Sequence, residues 1–340
     1  MLTRRTLLAT TPGFAAPGFA APADAAPASA APASAGPPPA ARESFENFVA
    51  GVKAEARRAG IRETTLDRAF ARVQVNQRVI ELDQHQPEFT LTWEQYRTRI
   101  VSDARIARGR ELFAQHRALL AQVTARYHVQ PGPILGIWGL ESNFGQSSGG
   151  FNVIEAVATL AWEGRRAAFF RSELMDALKI LDHGDIPPER MVGSYAGAMG
   201  QPQFMPDSFL KFAVDFSGRG RRDIWTDLGD VFGSIANYLA KSGWSERLPW
   251  GVAARIPASF NFSMGGRDTR RSIAEWRNLG VLPVTPLPAD SIAALIQPGG
   301  PGGEGFLACH PNFLAIRRYN PSDYYCISVG LIGGLITGSG

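Results

Sequence analysis

The chain of 340 residues is 45% hydrophobic and 19% charged, apolar enough to bury a core and too apolar for a disordered protein. Its net charge of +4, with no long Lys/Arg block interleaved with aromatics, gives no support to a nucleic-acid partner and is compatible with an anionic polymer. No run approaches the ~20 apolar residues that a transmembrane segment requires.

Residues 1–25 begin with Arg4 and Arg5, continue through a weakly apolar stretch and reach the small residues Ala23-Asp-Ala25, the pattern of an export signal. Thr3-Arg-Arg-Thr-Leu-Leu8 fits a twin-arginine signal as well as the general secretory route. Pro12 and Pro17 interrupt the stretch, which argues against an anchor, and no Cys follows it to carry a lipid. A periplasmic protein is expected. Residues 26–41, rich in Ala and Pro, read as a linker.

Residues 42–127 form an N-terminal helical region, with Phe45, Phe48, Val49 and Val52, then Ile106, Leu112, Phe113, Leu119, Leu120 and Val123, at helical spacing. The stretch from Asp83 to Phe89 breaks the period and marks a connection. Residues 128–245 hold a second helical block, from Pro131 to Leu181, interrupted by the turn Gly145-Gln-Ser-Ser-Gly-Gly150. The Gly-rich stretch Met191 to Pro206 follows, then helices near Asp207–Phe216 and Leu228–Ser242. Residues 246–318 shift to Pro, Gly and β-like runs at Trp250–Ile256 and Phe313–Arg318, a small mixed β-containing subdomain. Residues 319–340 close the chain with an apolar helix from about Ser322. The fold class expected is mainly α (α+β), without internal repeats.

The one charge in Gly136-Ile-Trp-Gly-Leu-Glu-Ser-Asn-Phe-Gly145 is Glu141. A carboxyl at the edge of a helix apolar nearly all round loses hydration, and its pKa rises. That is what a general acid for glycosidic cleavage needs; a buried Glu paired with an Arg is the structural alternative. Hydrolytic glycosidases generally use two carboxylates, yet Gly193 to Pro206 contains no Asp or Glu and offers Ser194, Tyr195, Gln201 and Gln203, groups that hydrogen-bond sugars. An ordinary Gly-rich connection is the alternative there. Arg165 and Arg166, read as lying inside an apolar helix with Phe169 and Phe170, are either one surface and one structural Arg or a fork for carboxylates. Cys309 and Cys326 are the two cysteines. In an exported protein they form a disulfide or remain buried thiols, and they match no metal-binding pattern.

Five segments stand in order: GIWGLESNFG, Gly164-Arg-Arg-Ala-Ala-Phe-Phe170, GSYAGAMGQPQFMP, Asp230-Val-Phe-Gly-Ser-Ile-Ala-Asn-Tyr238 and Arg318-Tyr-Asn-Pro-Ser322. In these the chain, from about Glu43 to Gly333, resembles the B-type lytic murein transglycosylases, glycoside hydrolase family 103. The resemblance implies a lysozyme-like helical core that cleaves peptidoglycan glycan strands without a cofactor. One Glu serves as acid and then base, the C6 hydroxyl of N-acetylmuramic acid attacks C1, and a 1,6-anhydro end forms. By motif position, Glu141 matches that Glu. Arg165 and Arg166 match residues binding peptide or lactyl carboxylates, Ser194 and Gln203 match residues holding N-acetyl sugars, and Tyr319 and Asn320 match a pair beside the acid. Tyr195 belongs to the same sugar-binding stretch. Relatives can carry a calcium loop that begins like Asp215-Phe-Ser-Gly, but here the third ligand position is Arg219, a permanent cation, so no metal is expected; Asp215 and Asp223 are expected to pair with the loop's arginines. A hydrolytic muramidase and an inactive wall-binding scaffold are the competing readings.

Overall fold

A computed structural model describes residues 43–84 and 91–338. The expected export signal and linker, and residues 85–89 of the expected connection, lie outside the described residues. Six helices come first: α1 (Phe45–Arg58), α2 (Glu63–Phe70), α3 (Gln77–Gln84), α4 (Trp93–Ile100), α5 (Asp103–Gln115) and α6 (Arg117–Tyr127). Ser44, Thr92 and Ser102 accept a backbone N–H at the starts of α1, α4 and α5, which satisfies amides that a helix leaves unpaired. In α1, Phe48, Val52 and Ala56 recur every four residues and form the buried stripe.

Two helices apolar on every side form the centre. Helix α7 (Pro131–Ser142) starts with Pro at its first turn and buries Ile134, Leu135, Ile137 and Trp138, while α14 (Asp323–Thr337), capped by the Ser322 hydroxyl, buries Tyr325, Cys326, Ile327, Val329 and Ile332. They touch backbone to backbone, because a Cβ on Gly136 would collide with the Val329 carbonyl and one on Gly333 with the Gly132 carbonyl. Close approach of this kind is what glycine permits.

Helix α8 (Val153–Glu163) is stopped by Gly164 at φ 106°, and α9 (Ala167–His183) starts after Arg166. Arg165 and Arg166 therefore lie in the corner between two helices, not inside one; the apolar residues on both sides conceal a break that the left-handed glycine makes. The Gly-rich stretch is a small folded unit. Strand β1 (Phe151–Asn152) pairs with β2 (Val192–Gly193), and single bridges link Gly193 to Met199 and Met199 to Phe204. Helices α10 (Pro206–Phe212) and α11 (Leu228–Lys241) follow.

The antiparallel sheet consists of β3 (Gly251–Arg255), β4 (Arg270–Ser272), β5 (Leu282–Pro283), β6 (Ile292–Ile296) and β7 (Gly305–Cys309), in the order β4-β6-β7-β3-β5. Its own core contains Trp276 of the short helix α12 (Ile273–Asn278) with Val252, Leu295 and Leu307. The β-like run expected at Phe313–Arg318 is instead helix α13 (Asn312–Tyr319), which buries Phe313 and Ile316 three residues apart. A short apolar run does not distinguish the two periods.

The disulfide reading is also corrected. Both cysteines are free and buried, and they belong to different cores, Cys309 to the sheet's and Cys326 to that of α7 and α14. Cys326 Sγ donates to the Asn320 carbonyl at 3.5 Å, and burial pushes the Cys309 thiol up to about 12.

Candidate active site

Helices α7, α9, α10, α11 and α13 surround a cleft of about 720 Å³ whose lining includes Glu141, Arg165, Arg166, Gln203, Tyr319 and Asn320. The size is that of a small-ligand pocket. The sequence expectation thus comes together in space at six positions, while Ser194 and Tyr195 are not among the lining residues; Ala196 and Ala198 are.

Glu141 stands at the end of α7, where the helix stops because Asn143 and Phe144 adopt left-handed backbone (φ 49° and 58°). Phe144 turns back under the helix and meets Trp138 edge-on at 5.3 Å. Burial pushes the Glu141 carboxyl up to about 8, against a hydrogen bond from Tyr325 that favours the charged form. Tyr325 Oη donates to Glu141 Oε1 at 2.6 Å. Among the described residues no Arg pairs with Glu141, which speaks against the structural alternative for this carboxyl. Tyr325 escaped the sequence reading, although its place three residues after the capping Ser322 fixes it on the first turn of α14.

The Gly-rich unit is anchored beneath. Trp138 Nε1 donates to Gln201 Oε1 at 2.7 Å, and Gln201 Nε2 donates to the Trp225 carbonyl at 2.9 Å. Gln203, at φ 53°, donates to the carbonyls of Ser148 and Gly200. Ser194 Oγ accepts the Ala198 N–H at 3.0 Å, which closes the tight turn around Gly197. One lone pair of the hydroxyl thus serves the loop itself.

On the other wall, Tyr319 Oη donates to the Pro202 carbonyl at 2.6 Å, and its ring packs 4.6 Å from that of Tyr238. Asn320 Oδ1 accepts the Ser322 N–H at 3.1 Å, and among the described residues its Nδ2 has no partner. Both arginines bind one carboxylate that sequence reasoning missed, Asp83 at the end of α3: Arg166 Nη2 lies 2.6 Å from Asp83 Oδ1, and Arg165 Nη2 contacts Oδ2. Asp83 is 3% exposed and the arginines 49% and 30%. Each guanidinium spends one nitrogen on Asp83 and retains further donors, the arrangement of a fixed two-cation receptor.

The calcium-like loop is closed by its own groups. Asp215 accepts the backbone N–H of Arg219 and Gly220 at 2.9 and 2.7 Å, and Asp230 accepts those of Phe216, Ser217 and Asp223. Arg219 Nε lies 3.1 Å from Oδ2 of the buried Asp227, and Arg221 pairs with Asp223 at 3.4 Å. Asp223 pairs with an arginine as expected, but Asp215 bonds backbone amides instead.

A family model described as Transglycosylase SLT domain matches residues 44–334. The membrane-bound lytic murein transglycosylase B of Escherichia coli (strain K12) is 33% identical over 247 residues, 71% of this chain and 66% of that protein, so the match spans slightly less than two thirds of the relative's length. SltB3 of Pseudomonas aeruginosa, in complex with NAG-NAM-pentapeptide, is 44% identical with a TM-score of 0.84, over 87% of this chain and 80% of that one. Escherichia coli lytic transglycosylase Slt35, in complex with calcium, is 30% identical with a TM-score of 0.73, over 87% and 93%.

For calcium the donor set here does not fit. The position that would supply a ligand oxygen holds a guanidinium already paired with Asp227. Millimolar calcium or a chelator is expected to leave the melting temperature unchanged, whereas saturation of a native-state site at one hundred times its Kd would add about 2.7 kcal/mol. A chelator-reversible rise would refute the argument from Arg219.

Proposed function

Because the chain belongs to the Transglycosylase SLT domain family, with its mainly α, lysozyme-like fold, we propose that it is a lytic transglycosylase cutting the β-1,4 bond between N-acetylmuramic acid and N-acetylglucosamine. The observation that carries this reading is one carboxyl, Glu141, held up near 8 at the cleft and touched by Tyr325. At neutral pH it holds a proton. Glu141 gives that proton to the glycosidic oxygen as the C1–O bond breaks, and N-acetylglucosamine leaves with its hydroxyl restored. The resulting carboxylate takes the proton of the muramic acid C6 hydroxyl, whose oxygen bonds C1. The product ends in 1,6-anhydromuramic acid, Glu141 is again protonated, and no water is consumed. General acid–base help of this kind is worth roughly 10²–10⁴-fold.

The Tyr325 hydroxyl fixes the carboxyl and supports its charged form between the two half-steps. Arg165 and Arg166, held by Asp83, bind carboxylates of the stem peptide or lactyl group. Gln203, Tyr319 and Asn320 hold the N-acetyl sugars, with the unpaired Nδ2 of Asn320 as a donor. Ser194 and Tyr195 serve the loop that positions Gln203. Export to the periplasm, signalled by residues 1–25, brings the enzyme to this polymer, and no helix among the described residues is long and apolar enough to cross a membrane. Mass spectrometry of digested sacculi tests the reading: anhydro ends are expected, and reducing muramic acid ends would establish a hydrolase instead.

A further inference from the structure

Helix α9 turns Phe170 and Glu173, three residues apart, to the cleft, which Arg166, just before the helix, also lines. Arg166 lies over the Phe170 ring at 4.7 Å, and Glu173 is a second carboxyl lining the cleft, 5% exposed. Its Oε2 accepts the Asp207 N–H at the start of α10 at 3.0 Å. Among the described residues, Oε1 has no hydrogen-bond partner. The nearby cation Lys211 is paired with Asp207 at 2.8 Å, and the other charged neighbours, Asp176 and Asp207, are anions. Burial pushes the Glu173 carboxyl up to about 7. A group needed only to hold the start of α10 could be an amide. A carboxylate oxygen without a protein partner in the lining of the cleft is instead an acceptor that a bound ligand can use in place of water.

Resting on the reading of the cleft as a glycan site, we propose that Glu173 is a specificity-determining residue whose Oε1 accepts a hydrogen bond from a hydroxyl or N-acetyl N–H of the bound strand. It acts in binding and takes no part in the acid–base cycle of Glu141. The probe is a tetrasaccharide of alternating N-acetylglucosamine and N-acetylmuramic acid, titrated calorimetrically into the uncleaving Glu141→Gln protein with and without Glu173→Gln. The Gln carbonyl retains the bond to Asp207, and its amide places a donor where the acceptor stood. The expected result is a Kd weakened about tenfold or more, the scale of one lost hydrogen bond, in a protein that melts no lower than its parent; a structural role alone would leave Kd unmoved. Glu173→Asp, shorter by one methylene and unable to span Asp207 and the ligand together, is expected to weaken binding likewise. Binding within about threefold of the parent by either folded variant overturns the role of Glu173. A parent that fails to bind the tetrasaccharide overturns the reading of the cleft and Glu173's role with it.

Discussion

Glu141→Gln is expected to abolish turnover and, at the same time, to make the protein more stable. The substitution preserves shape and removes the transferable proton, so activity on sacculi falls by on the order of 10²–10⁴-fold or more. The stability gain follows from the raised carboxyl. The folded group titrates near 8 against an ordinary 4.5, so at low pH it is neutral in both folded and unfolded chains and contributes no pH dependence. As pH rises from 4.5 towards 8 the unfolded chain releases a proton that the folded chain retains, and stability declines by at most about 1.4 kcal/mol per unit. Gln escapes that loss. The melting temperature of Glu141→Gln should thus exceed that of the wild type by a margin that widens across this window, to roughly a few kcal/mol at its upper end. The kcat/KM of the wild type should fall as pH passes about 8, where the acid form is lost. A variant retaining activity within about tenfold sinks the assignment, and a stability margin flat in pH sinks the account of why the carboxyl is an acid.

Glu141 was legible because a lone charge in an apolar run has to be explained, and the explanation depends only on neighbours in the same helix. Its partner was not: Tyr325 is 184 residues away, and Asp83 lies 82 residues before Arg165. Pairings made by tertiary packing leave no mark on local periodicity. Ser194 stands apart from the cleft lining for another reason. A hydroxyl in a Gly-rich stretch looks placed for a sugar, but the same tight backbone that suggests a ligand site draws on its oxygen to close the turn and holds it outside the cleft lining. Most of the helices were readable from their apolar periods, whereas the serine caps that start α1 and α5 emerge only in the structure. The α13 segment was not readable, because four consecutive apolar residues in a run of six satisfy either period. Gly164 was visible yet undervalued; only its left-handed backbone shows that the arginine pair stands at a corner facing the cleft.

Gly136→Ala is expected to lower both stability and turnover, although the same exchange elsewhere on a helix does the reverse. At the exposed Gly51 of α1 an added Cβ meets nothing within 4 Å, and Gly51→Ala should stabilise by roughly 0.5–1 kcal/mol from backbone entropy alone. At Gly136 the new methyl collides with the Val329 carbonyl, a backbone atom that moves only if α14 moves. Overpacking of this kind costs about 1–3 kcal/mol, more than the helix propensity returns. Tyr325 lies one turn before Val329 on α14, so displacement of that helix withdraws the hydroxyl from Glu141 Oε1. The bond stabilises the charged carboxylate, and its loss therefore raises the Glu141 pKa further and moves the alkaline limb of kcat/KM to higher pH. A misplacement of about 1 Å in such a constellation costs on the order of 10²-fold in rate. Melting curves of the two alanine variants, with pH profiles for Gly136→Ala, separate this from a general loss of folding. A Gly136→Ala protein that melts at or above the wild type, or whose alkaline limb stays in place, would show that the contact between α7 and α14 does not set the position of Tyr325.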